Sequence, residues 1–138
     1  MKDNKSFVDT NILIYCYSES ELDKKEIALS AVSTPNAIVS TQVLQEISNV
    51  LNKKFKLNWF DIERTIDEII NNLIVHINQT KTVQEACKIA YRYHYSFYDS
   101  LIIASAIESG CKTLYSEDLQ HNQIIEKTMR IVNPFVSG

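Results

Sequence analysis

The sequence predicts an α/β fold, a mainly parallel central sheet of four or five short strands flanked by helices. Short apolar runs of strand length alternate with longer stretches of helical periodicity from one end of the chain to the other. Turn-forming clusters such as Ser33-Thr34-Pro35-Asn36 separate them. Acidic residues recur just past two of the strand-like runs, at the sheet edge where open α/β folds gather their polar groups. No repeat, linker or low-complexity tract divides the chain, so residues 1–138 read as a single domain.

The elements follow in order. Residues 1–5 read as loose. Residues 6–9 form the first strand, and the polar triplet Asp9-Thr10-Asn11 turns it into a helix from 10 to about 17. Ser18 or Ser20 caps a second helix running to about Val32, with Leu22, Ile27, Ala28 and Ala31 inward. Residues 37–39 are the second strand. Ser40 or Thr41 caps the next helix, where Val43, Leu44, Ile47, Val50 and Leu51 make one apolar stripe that Phe55 extends. Residues 59–70 carry another helical pattern, ending near Asn71-Asn72, and 73–77 the third strand.

Thr82 and Glu85 form a capping-box pattern, with Val83, Ala86, Cys87, Ala90 and Tyr91 inward along the helix behind them. Ser96 opens a helix whose stripe is Ile103, Ala104 and Ile107, widened by Ile102 and Ala106; Gly110 suits its C-terminal turn. Residues 113–115 are the fourth strand, 116–123 a polar loop and 129–132 a fifth strand, stopped by Asn133-Pro134.

Composition narrows the class. Apolar content of 45% and charged content of 22% fit a globular domain. The longest apolar runs are too short to span a bilayer, and MKDNKS lacks the apolar stretch of a secretory signal. A cytoplasmic location and no membrane partner are the expectation. Three cysteines without close spacing argue against a disulfide framework or a zinc site and read as mostly buried, reduced thiols. The net charge of -3 counts against a broad nucleic-acid surface, though not a local one. Lys53, Lys54 and Lys56 form the densest basic cluster.

Four acids stand out. Asp9 follows a buried-looking strand, where it either caps the helix or carries chemistry, with Thr10 and Asn11 shaping the turn. Glu46 sits at the edge of its apolar stripe, roughly 60° from Val43. Asp99 occupies N3 behind Ser96, as a capping residue or as an acid at the front of a central helix. Asp118 lies just past the fourth strand, with Glu117 as its immediate competitor and Ser116 able to hold a carboxylate or a water. Two follow strands and two lie near helix starts, so a parallel sheet turns all four toward one crevice. Clustered carboxylates repel when empty, and Mg²⁺ or Mn²⁺, hard cations that take oxygen ligands, resolve that conflict.

On these residues the chain resembles the PIN-domain ribonucleases, especially the small VapC-type toxins of toxin–antitoxin pairs. The resemblance runs from FVDTN to RIVNPF. FVDTNILIY matches the family's opening strand and first acid, VLQEISNVL places Glu46 on the second, and YSFYDSLIIASAIESGCKTLYSEDLQ places Asp99 and Asp118 on the third and fourth. Asn11 and Ser116 match supporting polar positions. Asn122 departs from the pattern, since many relatives have Gly there; Asn tolerates the left-handed backbone.

The resemblance implies a Mg²⁺-dependent endoribonuclease, with Mn²⁺ able to substitute. A metal-activated water would cut RNA to a 5′-phosphate and a 3′-hydroxyl. It also implies a small antitoxin protein covering the active groove, and a homodimer built from apolar surface around residues 12–17 and 59–70. Two other readings stay open: a non-catalytic binding module of the same fold, and a Mg²⁺-dependent phosphohydrolase, for which Asn11 stands where a second Asp is needed. His121 is the one histidine near a proposed acid, and the tyrosines Tyr91, Tyr93, Tyr95 and Tyr98 can stack bases or pack in the core.

Overall fold

The computed structural model describes residues 4–136. Residues 1–3 of the stretch read as loose, and 137–138 at the end of the domain, lie outside them. β1 (Ser6–Val8) leads at once into α1 (Thr10–Tyr15), followed by α2 (Leu22–Val32), β2 (Ala37–Ser40), α3 (Thr41–Lys53), α4 (Trp59–Asn72), β3 (Ile74–His76), α5 (Thr80–Tyr93), α6 (Phe97–Glu108), β4 (Thr113–Tyr115), β5 (Ile124–Ile125) and β6 (Met129–Val132).

The strands form one six-stranded sheet in the order β3-β2-β1-β4-β6-β5. Every pairing is parallel except β5 with β6. From β1 the chain first builds outward to β2 and β3, then returns to add β4 on the other side. The reversal at β1 is a topological switch point, which opens a crevice at the carboxyl ends of β1 and β4. β1 and β2 are buried along their whole length. Central strands covered on both faces read as unbroken apolar runs, as Phe7-Val8 and Ile38-Val39 do.

The helices that reach the crevice are set by their apolar faces. In α3, Ser40 accepts a hydrogen bond from the Val43 amide, and Val43, Ile47 and Leu51 are buried at four-residue spacing. That rotation leaves Glu46 on the boundary. In α6, Ser100 to Ala106 are all buried. A helix apolar nearly all round belongs in the interior, and α6 packs against α5 and β2.

Several elements differ from expectation. The sixth strand, β5, is only two residues long and pairs through a turn in which Glu126 and Lys127 both take positive φ. No glycine or asparagine marks that turn, so the hairpin has no sequence signature. The cap of α5 is Gln79, whose amide donates to Thr82 Oγ1 at 3.0 Å, one turn ahead of the expected Thr82–Glu85 pair. Its buried face is Thr82, Ala86 and Ile89, and Val83, Cys87 and Tyr91 are exposed. Cys111 alone of the cysteines is fully buried.

Ser18 accepts from the amides of Ser20 and Glu21 and so shapes the approach to α2, whose N-cap is Glu21. Leu22 and Ile27 of that helix are exposed, and only Ala28 is buried. Ile12 and Leu13 are core residues, so the surplus apolar surface lies instead on Leu22, Leu29, Trp59, Phe60 and Ile70. Asn122 takes φ +69, the left-handed backbone expected of it.

Candidate active site

The sheet register builds one side of the site. β1 and β4 pair Val8 with Tyr115, so the next residues, Asp9 and Ser116, emerge side by side. The Asp9 amide donates to the Tyr115 carbonyl at 3.0 Å, and the Ser116 amide to Val132 at 3.0 Å. Ser116 Oγ then donates to Asp9 Oδ2 at 2.8 Å, and the Thr10 amide to Oδ1 at 2.7 Å. An N-cap carboxylate ordinarily reaches the second or third amide of its helix. Asp9 bonds the first amide and a neighbouring strand's serine, so capping alone does not account for it. It is 7% exposed. Burial pushes its carboxyl up from 3.8 to about 6, against the lowering hydrogen bonds from Ser116 and Thr10, and the charges of Glu46 and Asp99 add to the rise.

Asp118 joins from the loop after β4. Its Oδ2 accepts from Asn11 Nδ2 at 2.8 Å, and its amide donates to Ser116 Oγ at 3.3 Å. Asn11 Oδ1 accepts from the Glu117 amide at 3.4 Å, so one side chain braces both ends of this turn. Glu117 itself turns away, to Lys24 Nζ at 2.6 Å and the Tyr15 hydroxyl at 2.7 Å. It competes for no place beside Asp9.

The opposite side comes from α3 and α6. Glu46 accepts a hydrogen bond from the Thr10 hydroxyl through Oε1, and from Gln42 Nε2 at 3.1 Å through Oε2. The same Nε2 donates to the Tyr98 carbonyl at 3.1 Å, tying α3 to the first turn of α6. Asp99 follows Tyr98. Its amide is capped by Ser96 Oγ at 3.2 Å, but the reciprocal carboxylate bond of a capping box is absent among the described residues. The carboxylate faces the cleft instead.

Asp9, Thr10, Asn11, Glu46, Asp99 and Asp118 line one cleft of about 350 Å³, with Ile14, Asn49, Val50, Tyr98 and Ile102 completing the walls. The donor set is oxygen only, which suits a hard divalent cation. Among the described residues no three of the acids are drawn close enough to share an ion; Asp9, Glu46 and Asp118 each accept hydrogen bonds from neutral donors. A larger hollow of about 620 Å³ between α1, α2 and α4 is mostly apolar, with Glu68 its one carboxylate.

The PIN domain family model matches residues 6–127, a span that contains all four acids. The chain belongs to the PIN-domain family. Solved structures of similar fold include the Mycobacterium tuberculosis VapC20 toxin that cleaves the sarcin-ricin loop, at 21% identity and a TM-score of 0.68, covering 83% of this chain and 90% of that one. A toxin–antitoxin complex from Klebsiella pneumoniae matches at 18% identity and a TM-score of 0.71, covering 95% and 98%. DNA-bound VapBC from Salmonella typhimurium matches at 20% identity and a TM-score of 0.64, covering 93% and 96%. At these identities the likeness is one of fold. A search of curated protein sequences gives no match.

Other residues of this PIN domain sort by position. Lys53, Lys54 and Lys56 do not line the cleft, although Asn49 and Val50, one turn earlier on α3, do. Lys54 lines a separate hollow beside the α1–α2 loop. His121 Nδ1 accepts from the Asn133 amide at 2.9 Å and serves the loop. Tyr93 and Tyr95 bond to Glu126 and Gln123, whereas Tyr98 stands 66% exposed at the cleft rim. Sequence reading missed Gln42 and Lys24. Gln42 lies four residues before Glu46, a spacing that puts both on one helix face and was open to detection. Lys24 meets Glu117 only through the tertiary fold.

Proposed function

We propose that this PIN domain is a Mg²⁺-dependent endoribonuclease and the toxin of a toxin–antitoxin pair. One observation carries the reading: four carboxylates from separate parts of the chain line a single cleft at the carboxyl edge of a parallel sheet, one of them buried. A structure that gathers repelling charges holds something that needs them. Asp9, Glu46, Asp99 and Asp118 would hold Mg²⁺ or Mn²⁺, which would supply positive charge and a water of lowered pKa for phosphodiester hydrolysis.

The protein's own groups have distinct tasks. Ser116 and the Thr10 amide fix both oxygens of Asp9, which is ionised at neutral pH. Asn11 holds Asp118, and Gln42 holds Glu46 against the start of α6. Asp99, free of a capping bond, is the acid able to close onto a cation. Tyr98 at the rim offers a face on which a base of single-stranded RNA stacks.

The fold likeness to VapC-type toxins and their complexes supports a small antitoxin partner over the cleft. The exposed Trp59, Phe60 and Ile70 support a homodimer, and light scattering at tens of micromolar protein checks it. No described helix is long and apolar enough to cross a membrane, which agrees with a cytoplasmic site of action.

Structured RNA incubated with the wild type in Mg²⁺, with the wild type in EDTA, and with Asp99→Asn in Mg²⁺ tests the activity. Cleavage confined to the first mixture supports it. Cleavage that survives both EDTA and Asp99→Asn sinks it.

A further inference from the structure

The turn that carries Ser116 and Asp118 also carries Glu117, and two adjacent acids can present either carboxylate to the cleft. The fold resolves the ambiguity with groups that no acid motif contains. Lys24, from α2, lies 2.6 Å from Glu117 Oε2 and 3.3 Å from the Tyr15 hydroxyl. Tyr15 donates to Glu117 Oε1 at 2.7 Å, so both oxygens of Glu117 are engaged. The Lys24 ammonium also sits 5.0 Å from the Tyr15 ring centroid and 5.2 Å from that of Phe135. Those two rings meet edge to face at 5.1 Å. One cation thus draws together α1, α2, the turn after β4 and the segment after β6.

From this geometry we infer that Lys24 is a positioning residue that holds Glu117 outward and thereby presents Asp118 to the acid cleft. The inference rests on the nuclease reading and deepens it, since it names what selects the fourth acid. Glu117 and Asp118 are consecutive on one turn, and with Glu117 held on Lys24 and Tyr15 it is Asp118 that lines the cleft. The Glu117 amide donates to Asn11, which holds Asp118, and the Asp118 amide donates to Ser116, which holds Asp9, so the orientation of the turn reaches both acids. A partly exposed ion pair contributes little to stability by itself. Here its value is orientational, as with outer groups that aim a metal ligand.

Lys24→Met tests this, because it removes the charge but keeps an apolar stem between the two rings; Lys24→Arg keeps the charge. Two readouts are needed. In metal-free protein, amide hydrogen exchange at Glu117 and Asp118 is compared with exchange across the sheet. Separately, Mn²⁺ is titrated against the melting temperature.

The expected result is faster exchange in Lys24→Met confined to the 116–118 turn. A Mn²⁺ midpoint weakened about tenfold should accompany it, the scale for losing a group that orients a ligand. Lys24→Arg should restore both. Unchanged exchange and midpoint in Lys24→Met overturn the inference. So does faster exchange spread evenly over the sheet, which marks Lys24 as a support of the whole fold. If the wild type ignores Mn²⁺ altogether, the nuclease reading fails, and exchange at the turn alone then decides whether Lys24 fixes it.

Discussion

The two sides of the acid cleft are built differently. Asp9 comes from the end of β1, where the sheet fixes its register, and Asp118 from the turn after β4; polar neighbours hold their oxygens: Ser116 and the Thr10 amide for Asp9, Asn11 for Asp118. Glu46 and Asp99 come from helices. Glu46 depends on the Thr10 hydroxyl and on Gln42, and Asp99 has a capped amide but no capping bond on its carboxylate. The sheet side is a preorganised half-site, with burial already straining Asp9 toward its protonated form. On the helix side Glu46 is held through both oxygens, and Asp99 is the acid left without a capping bond on its carboxylate.

The largest effect should come from removing an acid on either side. Asp9→Asn and Asp99→Asn should each lower Mg²⁺-dependent RNA cleavage by at least about 10²-fold, the scale of losing a key electrostatic group. If only one of them matters, the cleft does not act as a unit.

The next effect separates the sides. A folded pKa of about 6 above an unfolded value of 3.8 means that the folded state binds this proton more tightly. Stability of metal-free protein from this group is therefore fully present below about pH 4 and is lost as pH rises through about 6, by up to about 3 kcal/mol. Denaturant melts across pH should show the fall, and Asp9→Asn should flatten it. Metal affinity should run the opposite way, rising through about pH 6 as Asp9 ionises.

Ser116→Ala and Asn11→Ala dissect the sheet side further. Each should weaken Mn²⁺ binding about tenfold by calorimetry. Ser116→Ala removes a hydrogen bond that lowers the Asp9 pKa, so its binding profile should also shift to higher pH. Asn11→Ala touches Asp118 instead and should leave the profile in place. The smallest effect is expected from changing Lys53, Lys54 and Lys56 together to Ala. They lie outside the cleft, so RNA affinity should fall with a shallower salt dependence while cleavage of bound RNA stays the same.

What the sequence disclosed follows the same division. Alternation of strands and helices gave the parallel sheet, and the residues after β1 and β4 had to meet once those strands paired. The acid positions were legible because charge beside an apolar run is costly and therefore visible. The buried face of α5 was read correctly at Ala86 but too wide, because Val83, Cys87 and Tyr91 also fall at helical spacing, a fraction of a turn from the buried Thr82, Ala86 and Ile89. The β5–β6 hairpin was hidden because Glu126 and Lys127 adopt a left-handed backbone that their side chains do not advertise. Gln42 was readable from helix spacing. Lys24 was not, since its link to Glu117 spans most of the chain.

The central claim is that the cleft is a cation site to which Asp99 contributes a carboxylate. Paired melting curves of wild type and Asp99→Asn, with and without Mn²⁺, test it most directly. Without metal, Asp99→Asn should melt at or slightly above the wild type, because one of several repelling charges is gone. With Mn²⁺ the wild type should rise well above the mutant. An Asp99→Asn protein that melts lower than wild type without metal, in a pair that ignores Mn²⁺, would show that Asp99 is a helix cap and would contradict the account.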